Sequence, residues 1–240
     1  MELSGDLAAE ELERLLPGRP IRSYPALLST EADALAWVRA GAPEGAVVVA
    51  DYQASPRGRA GVEWHLRPGE SVAFSLVLRP RLPAEREGWL YTVAAAGLAD
   101  ALGADTTIEW PDEVRRGDDR LGAVGIQTAL GPDGTEWAVV NVLVARAAPT
   151  RAAALAAAVE AIEARYGERP VAVLADYLRR CSTIGRRVRA RLIPLGPGGV
   201  AITGKAVNAR TDGSLVLERD DSTRIAVRPQ SLGLLEEADA

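Results

Sequence analysis

The chain predicts an α+β fold, and three observations carry that expectation. Apolar runs of strand length, AVVVA at Ala46–Ala50 and the alternating Val72, Phe74, Leu76 and Leu78, stand among stretches with helical spacing. Leu90, Val93, Leu98 and Leu102 recur along one such stretch, and Leu155, Val159, Ile162 and Tyr166 along another. Beyond Arg187 the texture changes to short strands, RVRARLIPL, VAITGKAVNA, GSLVLE and TRIAV, divided by GPGG, RTDG and DDS turns. A mixed α+β region followed by a small all-β module is the expected order.

The elements follow along the chain. Residues 1–22 predict a short helical segment, with Leu12, Leu15 and Leu16 near one face, ended by Pro17-Gly18 and too short for a helix-turn-helix domain. Ser29-Thr30 precede EADALAWVRAG, where a hydroxyl caps a helix that turns Leu35 and Val38 inward. Ser71–Leu78 predicts a strand with one strongly apolar face, and a helix covers roughly Ala84 to Leu102. Strands are expected at Thr106–Trp110, Gly122–Leu130 and Glu136–Ala145, the last two joined in a hairpin by GPDG. Pro149 opens a helix, and a further one spans Val171–Arg180. The expected division is an N-terminal helical segment at 1–22, a catalytic-type domain at 23–184 and a β module at 185–240. A module of that size relies on packing against its larger neighbour.

Composition removes several function classes. Hydrophobic residues at 48% and charged residues at 25% are ordinary for a globular protein and argue against disorder. No run approaches the roughly 20 apolar residues of a membrane span, and MELSGDLAAEELERLL is acidic where a signal peptide is basic and then apolar. A cytoplasmic protein with no membrane partner is expected. One cysteine, Cys181, and one histidine, His65, leave no internal disulfide and no Cys/His zinc site. Lys205 is the only lysine, so a Schiff base or a phosphate-loop lysine would have to use it, and no GxxxxGK[ST] run surrounds it. A net charge of −5 gives no global attraction for nucleic acid, and no DNA partner is expected.

Four stretches carry candidate chemistry. SPRGRAGVEW at Ser55–Trp64, preceded by Gln53, places arginine and glycine in a loop entered from an apolar strand. Glycine lets backbone N–H groups approach an anion closely, and arginine offers phosphate a fork of donors. EWPDE at Glu109–Glu113 sets Trp110-Pro111 after a strand, with two acids beyond. Arg120-Leu121 follow seven residues after Glu113, and WAVVN ends in Asn141. Read alone, Ser29-Thr30 is a helix cap, and the acids at 112 and 113 suit a plain proline turn equally well.

As an ordered set these stretches resemble the biotin–protein ligases, which adenylate biotin with ATP and pass it to a lysine of a biotin carboxyl carrier protein. The resemblance runs from about Ser23 to Leu235. It implies a mixed-sheet biotin/lipoate ligase-like catalytic domain with a C-terminal SH3-like β-barrel, of the non-repressor type, with a homodimer as one assembly state. It implies that Ser29, Thr30, Gln53 and Arg57 bind biotin, and that Arg57, Gly58, Arg59, Trp64, Trp110 and Asn141 serve the nucleotide. Arg57 and Arg120 are then the catalytic cations, Asp112 and Glu113 the Mg²⁺ ligands, and ATP with Mg²⁺ the activating pair. The sequence departs from the family at several of these points. Glu31 replaces a common asparagine, Pro56 a glycine, and Ala60 an arginine. EWPDE stands for KWPND, Gly122-Ala123 invert an Ala-Gly order, and valines replace the glycines before Asn141. Arg120 stands where the family lysine bridges carboxylate and α-phosphate. Arginine keeps the charge but is planar and differently hydrated. The departures keep two alternatives open: a catalytically impaired paralogue that binds biotin or a related acid, and a lipoate or octanoate transferase.

Overall fold

The computed structural model describes residues 5–196 and 198–238. Residues 1–4 of the expected N-terminal helical segment, Pro197 of the GPGG turn and residues 239–240 of the β module lie outside the described residues. Helix α1 (Ala9–Leu15) leads into strand β1 (Ile21–Leu27), and α2 (Thr30–Arg39) crosses over to β2 (Val47–Gln53), which runs parallel to β1. Then come β3 (Val72–Leu78), α3 (Trp89–Leu102), β4 (Thr107–Glu109), β5 (Glu113–Arg116), β6 (Asp119–Gly131), β7 (Gly134–Val144), α4 (Arg151–Gly167) and α5 (Pro170–Arg180). The strands form one seven-stranded mixed sheet in the order β1-β2-β3-β7-β6-β5-β4, and every pairing but the first is antiparallel.

Side-chain alternation along these strands feeds two different layers. Val47, Val49, Phe74, Leu76, Val140 and Val142 join α3 and α4 in the main core. Val48, Val77 and Val139 point the other way, against Ala34 and Val38 of α2. Strand β3 is therefore buried at every position rather than on one face, because α2 and the loop after β2 cover the side that the sequence left open. Helix α3 is buried from Trp89 through Ala99, sandwiched between the sheet and α4.

The C-terminal part is a five-stranded antiparallel sheet of β8 (Arg187–Leu192), β9 (Ala201–Ala209), β10 (Leu215–Glu218), β11 (Arg224–Val227) and β12 (Leu232–Glu237), in the order β11-β10-β9-β8-β12. Lys205 is exposed on β9. Strands β1, β5 and β12 were not among the expected elements. A tight seam joins the two sheets. Trp110 Nε1 donates to the Gly213 carbonyl at 2.9 Å and Gln230 Nε2 to Glu87 Oε1 at 2.8 Å. Gly213 lies so close to Gly88 that a Cβ on it would stand 2.1 Å from the Gly88 oxygen. Among the described residues no helix is long and apolar enough to cross a membrane.

Candidate active site

The face of the sheet under α2 carries one polar row between two apolar ones. Ser75, Asn141 and Gly125 sit directly opposite one another on β3, β7 and β6. On one side of the row Ala73, Leu143 and Ala123 pack with Trp64, and on the other Val77, Val139 and Trp137 pack with α2. Ser75 donates to Asn141 Oδ1 at 2.7 Å, and its oxygen lies 3.0 Å from Thr30 Oγ1. Burying such groups is tolerable because each is hydrogen-bonded.

The start of α2 closes one end of this row. Ser29 accepts a bond from Ala32 N at 3.2 Å, so its hydroxyl is the helix cap that local sequence chemistry suggests. Thr30 N donates to Gln53 Oε1 at 2.8 Å, and Gln53 Nε2 donates to the Ala73 carbonyl at 2.8 Å. Ser29, Thr30 and Gln53 are thus brought together, buried, with their side-chain polar atoms bonded to the protein itself. Glu31, next along the helix, accepts from Asn141 Nδ2 at 2.5 Å, and burial raises its pKa against the pull of Asn141 and Arg57.

The loop after β2 closes the other side. Gly58 lies on the indole of Trp64, where a Cβ would meet Nε1 at 2.4 Å, and the backbone of Gly58 and Arg59 rests on Gly125, whose own Cβ would stand 2.9 Å from the Gly58 carbonyl carbon. Glycine on both surfaces is what permits the contact. Trp64 is buried, with 5% exposure, as a prop under the loop. Arg57 is exposed and donates to the Gly61 carbonyl at 3.0 Å, leaving its side chain at the rim of the row.

At the base of the loop five charges cluster. Arg59 Nε donates to Asp112 Oδ1 at 3.1 Å, while its Nη1 reaches the Leu232 carbonyl of β12. Both side chains are nearly buried, at 11% and 13% exposure, and burial pushes Asp112 up to about 6 although Arg59 pulls it down. Glu113 takes Arg115 at 2.7 Å and Arg120 at 3.3 Å. Arg120 therefore stands in the cluster, paired with a carboxylate. The two acids that the resemblance casts as Mg²⁺ ligands are both engaged by arginines, and among the described residues no group of three acids, histidines or cysteines is placed to hold a metal. These residues do not fit a Mg²⁺ site. Trp110, expected at the nucleotide, is 2% exposed and turns its N–H to the seam. Ser75 and Gly125 belong to no motif in the sequence, and Glu31 stands out there only as a departure from the family pattern. Their cross-strand register and close approach carry no local sequence signal.

No family model matches the chain. The bifunctional ligase/repressor BirA of Bacillus subtilis is 37% identical over 101 residues, which is 40% of this chain and 31% of that protein. The chain thus spans about a third of the length of the Bacillus relatives it matches. The biotin–[acetyl-CoA-carboxylase] ligase of Mycobacterium tuberculosis is 29% identical over 216 residues, covering 79% of this chain and 80% of that protein. Among solved structures, the biotin protein ligase from Aquifex aeolicus in complex with biotin and ATP superposes with a TM-score of 0.71, covering 91% of this chain and 99% of that one at 19% identity. That likeness establishes the fold. With the motifs in the same order on this fold, the chain is similar to biotin–protein ligases over most of its length.

Proposed function

We propose that this protein is an ATP-dependent biotin–protein ligase. A carboxylate oxygen of biotin attacks the α-phosphorus of ATP, the bond to pyrophosphate breaks, and biotinyl-AMP forms. A lysine amine of a biotin carboxyl carrier protein then attacks the acyl carbon, loses a proton, and releases AMP. The observation that carries this reading is the seating of the Arg57–Gly58–Arg59 loop on Gly125, beside the Thr30–Gln53 pair and next to a cluster containing Arg120. The loop would lift to admit the acid and return over it, with Gly58 and its neighbours bringing main-chain amides, and Arg57 its free guanidinium edge, to the phosphate side. Arg120 would neutralise charge that builds at the α-phosphate. Because Asp112 and Glu113 are engaged by arginines, no step is assigned to them as metal ligands.

The same reading places domain boundaries at 22/23 and 184/185, with the C-terminal sheet as the SH3-like module. It makes the protein cytoplasmic, without DNA as a partner and able to form a homodimer. Biotin-dependent exchange of labelled pyrophosphate into ATP is the test. Label entering ATP only when biotin is present is the expected result, and no exchange at saturating biotin and ATP overturns the proposal. A second reading, binding without activation, draws on one observation: Arg59 and Arg120 both already face carboxylates. Biotin binding without exchange would favour it.

A further inference from the structure

Glu31 holds an open hydrogen-bond valence beside the polar row of Ser75, Asn141 and Gly125. The polar atoms expected to greet the head of the acid are turned inward: Ser29 Oγ caps α2, Gln53 bonds Thr30 N and the Ala73 carbonyl, and Asn141 is held between Ser75 and Glu31. Glu31 differs from these. Its Oε2 accepts from Asn141, while its Oε1 has no donor among the described residues. The side chain is half-buried at the first turn of α2, directly after the Thr30–Gln53 pair, and the positive charge of Arg57 acts on it without an ion pair between them. Oε1 is not among the buried polar atoms that lack a partner, so it keeps contact with solvent, and an apolar tail laid over it would strip that solvent from an acceptor with no protein donor.

We infer that Glu31 is a specificity-determining residue that selects acids whose far end brings N–H donors, through its free Oε1. This inference rests on the ligase reading and deepens it. A cyclic urea presents two N–H groups and satisfies the carboxylate, whereas a plain acyl or dithiolane tail would bury it unpaired. A site built around a polar partner rejects analogues that lack it far more strongly than an apolar pocket rejects a change of size.

Calorimetry on the full chain tests the inference with four probes: biotin and desthiobiotin, which carry the urea, and lipoate and octanoate, which do not. The wild type is expected to bind the first pair more tightly than the second. Glu31→Gln, which keeps shape but loses charge, is expected to weaken biotin and desthiobiotin by about tenfold, since bonds to charged groups are roughly twice as strong as neutral ones. Lipoate and octanoate are expected to hold or gain. Should Glu31→Gln fail to fold, Glu31→Asp, which retracts the charge by one methylene, is expected to reduce the same selectivity. Urea ligands bound with wild-type selectivity by the folded variant would overturn the role of Glu31 and leave the ligase reading standing. A wild type that binds neither biotin nor desthiobiotin would overturn both.

Discussion

Arg120 shows how a side chain can keep a charge while changing its geometry. Its guanidinium is anchored to Glu113 and stands at the edge of the cluster formed with Arg59 and Asp112. Removing one preorganised group that stabilises developing charge typically lowers turnover by about 10²–10³-fold. Arg120→Ala is accordingly expected to reduce pyrophosphate exchange on the order of 10²-fold with little change in biotin affinity; an equal loss in both would make it a binding residue instead. Asp112 gives a pH dependence. Burial raises its pKa to about 6 from an ordinary 3.8, against Arg59 and Arg120, with Glu113 beside it raising it further. Between those values the folded state holds more protons than the unfolded chain. Stability from this group therefore falls as pH rises through the interval and bears its full penalty above about 6. Below about 6 the neutral carboxyl no longer pairs with the Arg59 charge. Amides of Gly58–Gly61 are expected to lose hydrogen-exchange protection there, after correction for the intrinsic pH dependence of exchange. Protection that stays level down to about pH 5 would mean that carbonyls alone hold Arg59.

Among the elements, the contact of the loop with β6 is the most sensitive to volume. A Cβ at Gly125 would lie 2.9 Å from the Gly58 carbonyl carbon and 3.0 Å from Arg59 N, both backbone atoms with little freedom to move. Gly125→Ala is expected to lift the loop and to lower stability by about 1–3 kcal/mol, as overpacking does, measured by urea unfolding. No change would mean that the loop does not rest on the strand in solution. Elements with strong local chemistry were legible from the residues: α2 from its Ser29 cap, β6 and β7 from the GPDG turn, α4 from its apolar spacing. Strand β1 was not, because IRSYPAL is an edge strand with Pro25 in it and no apolar alternation. Strand β5, EVRR, has only Val114 to mark it, and its strand character comes from pairing with β4 and β6. At the site, the motifs located the loop and the Thr30–Gln53 pair. The partners of Arg59 come from residues 53 and 173 positions away, a relation that spacing does not encode.

For the molecule as a whole, the loop is fastened to both sheets: to the larger by Gly125 and Asp112, and to the smaller by the Leu232 carbonyl. Trp110 and the Gly88–Gly213 approach keep those two surfaces at a fixed separation. The exposed Lys205 on β9 has a different kind of consequence. Under the proposed activity a mixed anhydride forms at the site, and any that escapes can acylate surface amines. Here arginine replaces lysine everywhere else, and guanidinium stays protonated and unreactive under such conditions. Apart from the chain's α-amino group, self-labelling has one target. Incubation with biotin and ATP but no acceptor is expected to place biotin at Lys205 and to leave a Lys205→Arg variant unlabelled on side chains, as peptide mass mapping would read. Label on another side chain would contradict this. The protein would then serve as a nearly silent background against which leakage of the activated acid onto neighbouring proteins could be counted.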